Sequence, residues 1–405
     1  MKVNVETIKL NFNNVDLFLN LGDGIVVTDI RESRVSEIEV STNSNEKEPY
    51  FGIFVTNKCN FRCGYCFNKK CHISLDPVFT PKDFTSFLKN NGYKKIQIRF
   101  LGGEPLLNKE WMYECVELLR ENKIECKYDI FTNSTLIDSE FMEFAKNHDF
   151  QFFVSVAGKN EPEKGVKHKK KIGEKINLIN QNNMTVLSRA LYNPKQISLL
   201  ELIGDIFEHN IKFLSIGFEW GKGEENPKEF MAKIKLDLRE FAEFYIENIL
   251  QENLKYLAIN PFIGYIKNWL LNEEYHMDAC EAGKGLFSLS TTGDFYSCYA
   301  LNQVEAFKCG NIFESVEPNL SNINADTITA CKSCDIKYLC KSRCFADSYL
   351  VNNDYLKVVE LKCQLEKEII ACSAYILYTL SKYEKQFKLF RYAIKKGMIN
   401  YDIAH

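Results

Sequence analysis

The stretch Cys59-Asn60-Phe61-Arg62-Cys63-Gly64-Tyr65-Cys66 decides how the rest of the chain is read. It directly follows an apolar run, Phe51–Thr56, with the composition of a buried strand. Three thiolates so closely spaced can hold three irons of a [4Fe–4S] cubane and leave the fourth iron open. An open iron is a reaction site, because it can bind the amine and carboxylate of an amino acid. The other reading of the same residues is a zinc knuckle or three buried thiols. Zinc normally takes four protein ligands, and nearby only Cys71 and His72 are available as a fourth.

Outward from this loop, short apolar runs alternate with amphipathic stretches as far as about Trp220. The strand-like runs are Phe51–Thr56, Ile96–Leu101, Tyr128–Thr132, Phe152–Val156, Thr185–Leu191 and Phe213–Phe218. Helix-like stretches fall between them, over Pro81–Asn90, Lys109–Asn122, Asp138–Asn147, Gly173–Gln181 and Gln196–His209. Such alternation predicts βαβ units and a parallel sheet. A parallel sheet presents its ligands at the carboxyl ends of its strands, which is where the cysteine loop lies.

The chain has 405 residues, 45% hydrophobic and 26% charged, a length for two or three domains and a composition that excludes wholesale disorder. A net charge of −3 gives no general pull towards nucleic acid or an anionic membrane. No charged segment followed by an apolar one opens the chain, and the most apolar stretch, Ile369 to Leu380, is too short to span a bilayer. A cytoplasmic protein is expected. Its 15 cysteines are odd in number and lack an export signal, which argues against a disulfide framework and for metal.

Five segments are expected. Residues 1–48 form a β-rich preface, with alternation over Val3–Phe12 and Leu17–Val27 and a tight turn at Gly22-Asp23-Gly24. Residues 49–225 form the α/β core and 226–279 a charged helical bridge. Residues 280–363 are turn-rich and dense in cysteine, and 364–405 form a helical tail.

The CX3CX2C loop, with Tyr65 before its third cysteine, resembles that of the radical S-adenosylmethionine (radical SAM) superfamily. Further strand ends agree. Leu101-Gly102-Gly103-Glu104-Pro105 closes the second run; glycines permit close backbone approach, and a glutamate accepts hydrogen bonds from an ammonium. Thr132-Asn133-Ser134 is similar to the family's TNG. Ser155-Val156-Ala157-Gly158 stands where relatives often carry SxDG, with Ala157 in place of the acid. Arg189, on the fifth run, is either a cation for the cofactor carboxylate or a surface arginine. The resemblance implies a partial (β/α)6 TIM-like barrel. It assigns Cys59, Cys63 and Cys66 to a [4Fe–4S] cluster. Tyr65, Gly102, Gly103, Glu104, Asn133, Ser155 and Arg189 are assigned to S-adenosylmethionine.

The later cysteines, Cys280, Cys298, Cys331, Cys334, Cys340, Cys344 and Cys363, resemble the seven-cysteine SPASM domain, followed here by C-terminal helices. That resemblance implies two auxiliary [4Fe–4S] clusters, three in all. One is held by Cys331, Cys334, Cys340 and Cys363, the other by Cys280, Cys298 and Cys344. Some relatives add an eighth cysteine where this chain has Glu274, so the inner cluster has an open iron or another ligand. Cys309 is a candidate for that place, or a structural thiol. Cys115, Cys126 and Cys372 lie in apolar runs and are expected to pack as small hydrophobes.

The family resemblance implies a mechanism. A ferredoxin or flavodoxin supplies an electron, S-adenosylmethionine is cleaved to a 5′-deoxyadenosyl radical, and that radical takes a hydrogen from an unactivated carbon. SPASM relatives mostly modify peptides. Anaerobic sulfatase maturases carry an Asp base after the second SPASM cysteine, where this chain has Tyr299. The departure favours a ribosomal-peptide (RiPP) maturase of the sactisynthase or ranthipeptide type, forming a thioether on a cysteine-containing precursor with a leader. C–C crosslinking, epimerisation, sulfatase-type maturation and a small-molecule substrate are alternatives, and a bare iron–sulfur electron carrier is the non-enzymatic one. The preface, or the basic run Lys167–Lys171, could meet the leader; a solvated face is the plainer reading of that run. The residues name no catalytic base.

Overall fold

The computed structural model describes residues 1–21, 26–29, 35–41, 48–63, 66, 68, 76–156, 165–219, 226–271, 273, 275–276, 280–317, 319–320 and 322–396. The turn expected at Gly22-Asp23-Gly24 lies outside these, as do Tyr65, Cys71, Ala157, Gly158 and Glu274. The N-terminal strands are β1 (Lys2–Glu6), β2 (Ile8–Phe12), β3 (Val15–Asn20), β4 (Val26–Thr28) and β5 (Val35–Ser41). They build two small sheets, β2-β3-β4 and β1-β5-β13, the latter completed by β13 (Tyr275–His276).

The core strands are β6 (Tyr50–Phe54), β7 (Lys95–Leu101), β8 (Glu125–Thr132), β9 (Phe150–Ser155), β10 (Val186–Tyr192) and β11 (Leu214–Phe218). They pair in parallel in chain order. Between them run α1 (Pro81–Asn90), α2 (Lys109–Glu121), α3 (Ser139–Asn147), α4 (Gly165–Gln181) and α5 (Leu199–Phe207). Local chemistry sets the helix starts. Thr80 and Asp83 form a capping box at α1, with Pro81 in the first turn, and Ser198 and Glu201 form one at α5. Helix α4 begins eight residues earlier than its apolar periodicity suggested, because its first turns are polar.

The sheet runs past both ends of the expected barrel. After α6 (Pro227–Leu250), β12 (Ile259–Asn260) adds beside β11, and α7 (Phe262–Leu271) follows. On the other side β14 (Leu286–Leu289) pairs in parallel with β6, and β15 (Asp294–Tyr296) and β16 (Lys308–Asn311) continue antiparallel. The cysteine-rich region therefore grows out of the barrel sheet. It continues through α8 (Thr329–Lys332) and α9 (Phe345–Asn352) to α10 (Glu360–Ser381) and α11 (Glu384–Lys395). The apolar stretch Ile369 to Leu380 is the buried face of α10. Cys372 is fully buried there and Cys115 in α2, as expected of small hydrophobes; Cys126 is half-buried. Among the described residues no helix is long and apolar enough to cross a membrane.

Side chains alternate between the sheet's two faces. The helix-facing side stacks Phe100, Tyr128 and Phe150, ring centroids 5.1 to 6.2 Å apart. The inner face is polar at its floor. Arg99, only 1% exposed, lies among the rings of Tyr50, Phe131 and Phe153 at 4.6, 4.3 and 4.7 Å. Its Nη2 donates to Asp129 Oδ2 at 3.1 Å, and the Tyr50 hydroxyl donates to the same oxygen. Cation–π contact and one ion pair thus compensate a fully desolvated guanidinium. Asp129→Asn leaves that cation without its counter-charge. The expected result is a loss of about 3 kcal/mol in stability, read as a lower urea midpoint with the fold otherwise intact by circular dichroism.

Candidate functional site: a cysteine loop at the carboxyl end of a parallel barrel

The loop after β6 and the loop after β7 lie against each other. Gly103 N donates to Thr56 O at 3.0 Å, and Glu104 N donates to Lys58 O at 2.8 Å. The contact leaves no room for a side chain. A Cβ on Gly102 would stand 2.3 Å from Thr56 O. One on Gly103 would stand 2.2 Å from Lys58 O and 2.8 Å from Cys59 Cβ. The glycine pair is thus the bed on which the cysteine loop rests.

Within that loop Phe61 N donates to Cys59 Sγ at 3.3 Å, and Cys66 N donates to Cys63 O at 3.1 Å. Burial pushes the Cys59 thiol up to about 11, and charge on Glu104, Cys63 and Cys66 pushes the same way. A thiol held neutral in this way gives up its proton more readily to a bound metal, which ligates thiolate.

Glu104 is 1% exposed and already busy. Its Oε1 accepts from Thr132 Oγ1 at 2.7 Å and Leu106 N at 3.2 Å, and its Oε2 accepts from Asn133 N at 2.8 Å. Burial pushes this carboxyl up to about 7, and those three donors oppose the shift. A carboxylate offers about four acceptor positions, so roughly one remains for an ammonium. Glu104 therefore ties the end of β7 to the end of β8 as well as facing the site. Asn133, one residue past β8, donates from Nδ2 to Asn60 Oδ1 at 2.8 Å, and Asn60 donates in turn to Thr135 Oγ1 at 3.0 Å. The strand end thereby clamps the cysteine loop. Ser134 sits at φ 63° in the left-handed region, a conformation glycine adopts without strain.

Ser155, the last residue of β9, pairs in register with Arg189 midway along β10, and both are exposed on the inner face. The Arg189 guanidinium lies 5.1 Å from the Phe131 ring, and Tyr299 meets that ring edge-on at 6.5 Å. Tyr299 thus brings the cysteine-rich region to the barrel mouth. Of the basic run, Lys170 and Lys171 are exposed in α4; the side chains of residues 167–169 lie outside the description.

The later cysteines gather in two sets. Burial pushes Cys280 and Cys298 up to about 12 each, and further opposition to ionisation of Cys298 comes from Cys344 and Cys280. Burial pushes Cys363 up to about 11, reinforced by Cys331 and Cys334, and Cys340 up to about 12, reinforced by Glu366 and Cys363. Cys331, Cys334, Cys340 and Cys363 line a cavity of about 260 Å³ with Arg343, Lys362 and Lys367, and Cys344 lines it too. Among the described residues no three His, Cys, Asp or Glu side chains converge closely enough to share one metal ion. A cavity lined by five thiols has room for a cluster larger than a single metal ion. Cys309 is buried and bonds the Ser297 hydroxyl.

Sequence reasoning passed over Asn60, Arg99 and Asp129. Only Asn60 carried a usable signal, its place inside the cysteine loop.

The cysteine loop, the glycine bed and the parallel barrel together define a radical SAM domain. Residues 53–188 match the description "Radical SAM superfamily". The chain is 22% identical over 403 residues to the radical SAM cyclopropyl synthase TigE of Paramaledivibacter caminithermalis, covering 90% of this chain and 79% of that protein. It is 21% identical over 332 residues to a serine-type anaerobic sulfatase-maturating enzyme of Bacteroides thetaiotaomicron, covering 71% and 80%. The fold matches a structure described as native anSMEcpe with bound AdoMet and Cp18Cys peptide, with a TM-score of 0.64 at 19% identity, over 86% of this chain and 99% of that one. Residues 53–188 thus form a radical SAM domain, of the kind that uses a [4Fe–4S] cluster and S-adenosylmethionine, and the chain is an enzyme with a SPASM-like cysteine-rich C-terminal region.

Proposed function

We propose that this enzyme modifies a ribosomally made, cysteine-containing peptide and closes a thioether crosslink on it. One observation carries the reading. Cys280, Cys298 and Cys344 lie near enough to oppose ionisation within the group, with Cys344 also on the wall of the cavity that the other four line. A three-thiol set leaves a coordination place to which a substrate thiolate is suited, since thiolate is the form that ligates metal.

In this reading Cys59, Cys63 and Cys66 hold the first cluster, and the later sets of three and four hold two auxiliary ones. When bound, the first cluster and S-adenosylmethionine supply a 5′-deoxyadenosyl radical, chemistry that belongs to the cofactors. The chain supplies position. Glu104 offers its remaining acceptor place to the methionyl ammonium, and Arg189 meets the carboxylate. Asn133 and Ser155 offer polar contacts at the strand ends, with Tyr65 on the cysteine loop. The packed floor of Tyr50, Arg99 and Phe153 keeps water from below. Peptide binding in the related fold supports a peptide as partner. A leader and a ferredoxin or flavodoxin donor complete the proposal.

A second reading has an observation of its own. The relative that covers 90% of this chain is named a cyclopropyl synthase, which favours carbon–carbon bond formation. The test is anaerobic turnover with S-adenosylmethionine, dithionite and a cysteine-rich peptide encoded beside the gene. A thioether product has lost two hydrogens and one alkylatable thiol per crosslink. A carbon–carbon product has lost the hydrogens and kept every thiol, and would overturn the thioether.

A further inference from the structure

Both auxiliary sets depend on one irregular segment. Cys340, of the four-thiol set, and Cys344, of the three-thiol set, are separated only by Lys341, Ser342 and Arg343, and none of these residues lies in a helix or strand. Such a segment needs side-chain anchors. Arg343 supplies one, donating from Nη1 to Lys337 O at 2.6 Å. The other is Glu366 on α10. Its Oε1 accepts from Lys341 N at 3.0 Å, and its Oε2 accepts from Ser342 Oγ at 2.5 Å. Its Oε1 also accepts from the hydroxyl of Tyr265, on α7.

A carboxylate only 5% exposed is costly to bury, and these three donors are what offset it. Its place on α10 matters as much as its bonds. Residues three apart on a helix share a face, so Glu366 lies one turn beyond Cys363, which is itself in the four-thiol set. One turn of α10 thus carries a cysteine of one set and the clamp on the loop that joins both. Lys362, on the same turn, bonds Asp347 of α9 just past Cys344. The first turns of α10 therefore frame both sets.

We propose that Glu366 is the positioning residue for both auxiliary clusters, fixing the loop from Cys340 to Cys344 against the helix that carries Cys363. The proposal rests on the reading that these thiols hold clusters.

The test is Glu366→Gln in the full chain, a substitution of equal size that cannot accept all three donors. After anaerobic reconstitution, the expected result is a fall from about twelve to about four irons per chain. The reduced-state electron paramagnetic resonance of the Cys59/Cys63/Cys66 cluster should survive, and the auxiliary signals should be lost or shifted in midpoint potential. Thermal melting of the metal-free variant by circular dichroism reports on folding alone. If Glu366→Gln fails to fold, Ser342→Ala removes a single bond and decides the matter by the same signals. Full iron with unaltered auxiliary signals and potentials in the folded variant would overturn the proposal and leave the cluster reading standing. About four irons in the unsubstituted protein would overturn both.

Discussion

Changing Cys59, Cys63 and Cys66 together to alanine is expected to abolish reductive cleavage of S-adenosylmethionine and to remove about four irons per chain. These thiols stand on the loop after β6, and that loop is hydrogen-bonded through Thr56, Lys58 and Asn60 to the ends of β7 and β8. Alanine replaces three ligands without filling new space, so the barrel should fold. The later cysteines are on separate elements, and the remaining iron should be retained. The measurement is 5′-deoxyadenosine by chromatography beside iron and sulfide analysis. Cleavage persisting at even a tenth of the normal rate would place the radical chemistry elsewhere in the molecule.

Gly103→Ala is expected to be nearly as severe without touching a ligand. Its Cβ would stand 2.2 Å from Lys58 O and 2.8 Å from Cys59 Cβ, and the nearest atoms are backbone, which cannot swing away as a side-chain tip can. The cysteine loop must move. A shift near 1 Å at reacting groups costs about 100-fold in rate, and a loss of that order in 5′-deoxyadenosine formation is expected. Gly204 is the control, because nothing lies within 4 Å of the position its Cβ would take on α5. Gly204→Ala should retain full cleavage. Equal rates for the two variants would show that the glycine bed does not position the cluster loop.

Much of this was legible before any coordinates. Periodicity located the six core strands to within a few residues, from continuous burial in β6 and from alternation in β8. Cysteine spacing marked the C-terminal thiols, and five of them line one cavity. The parallel joint between β14 and β6 was not legible. Leu286–Leu289 is too short to show a period, and its partner lies more than two hundred residues away. Arg99 was hidden for the opposite reason. A charge within an apolar strand suggests a solvent-facing side, whereas here three rings and Asp129 hold it inside. Glu104 was noticed for the ammonium it can bind. That it also ties two strand ends together emerges only from the distances to Thr132, Leu106 and Asn133. Glu366 carried no signal at all, since a glutamate on a polar helix face is the commonest of residues.

Three cluster sites in one chain is the statement on which the thioether proposal and the role of Glu366 both depend. Iron and acid-labile sulfide per chain, measured after anaerobic reconstitution of the full-length protein, address it directly. About twelve of each is the expected value, and the triple alanine variant of Cys59, Cys63 and Cys66 should then retain about eight. About four of each, with none left in that variant, would mean that the C-terminal cysteines hold no cluster.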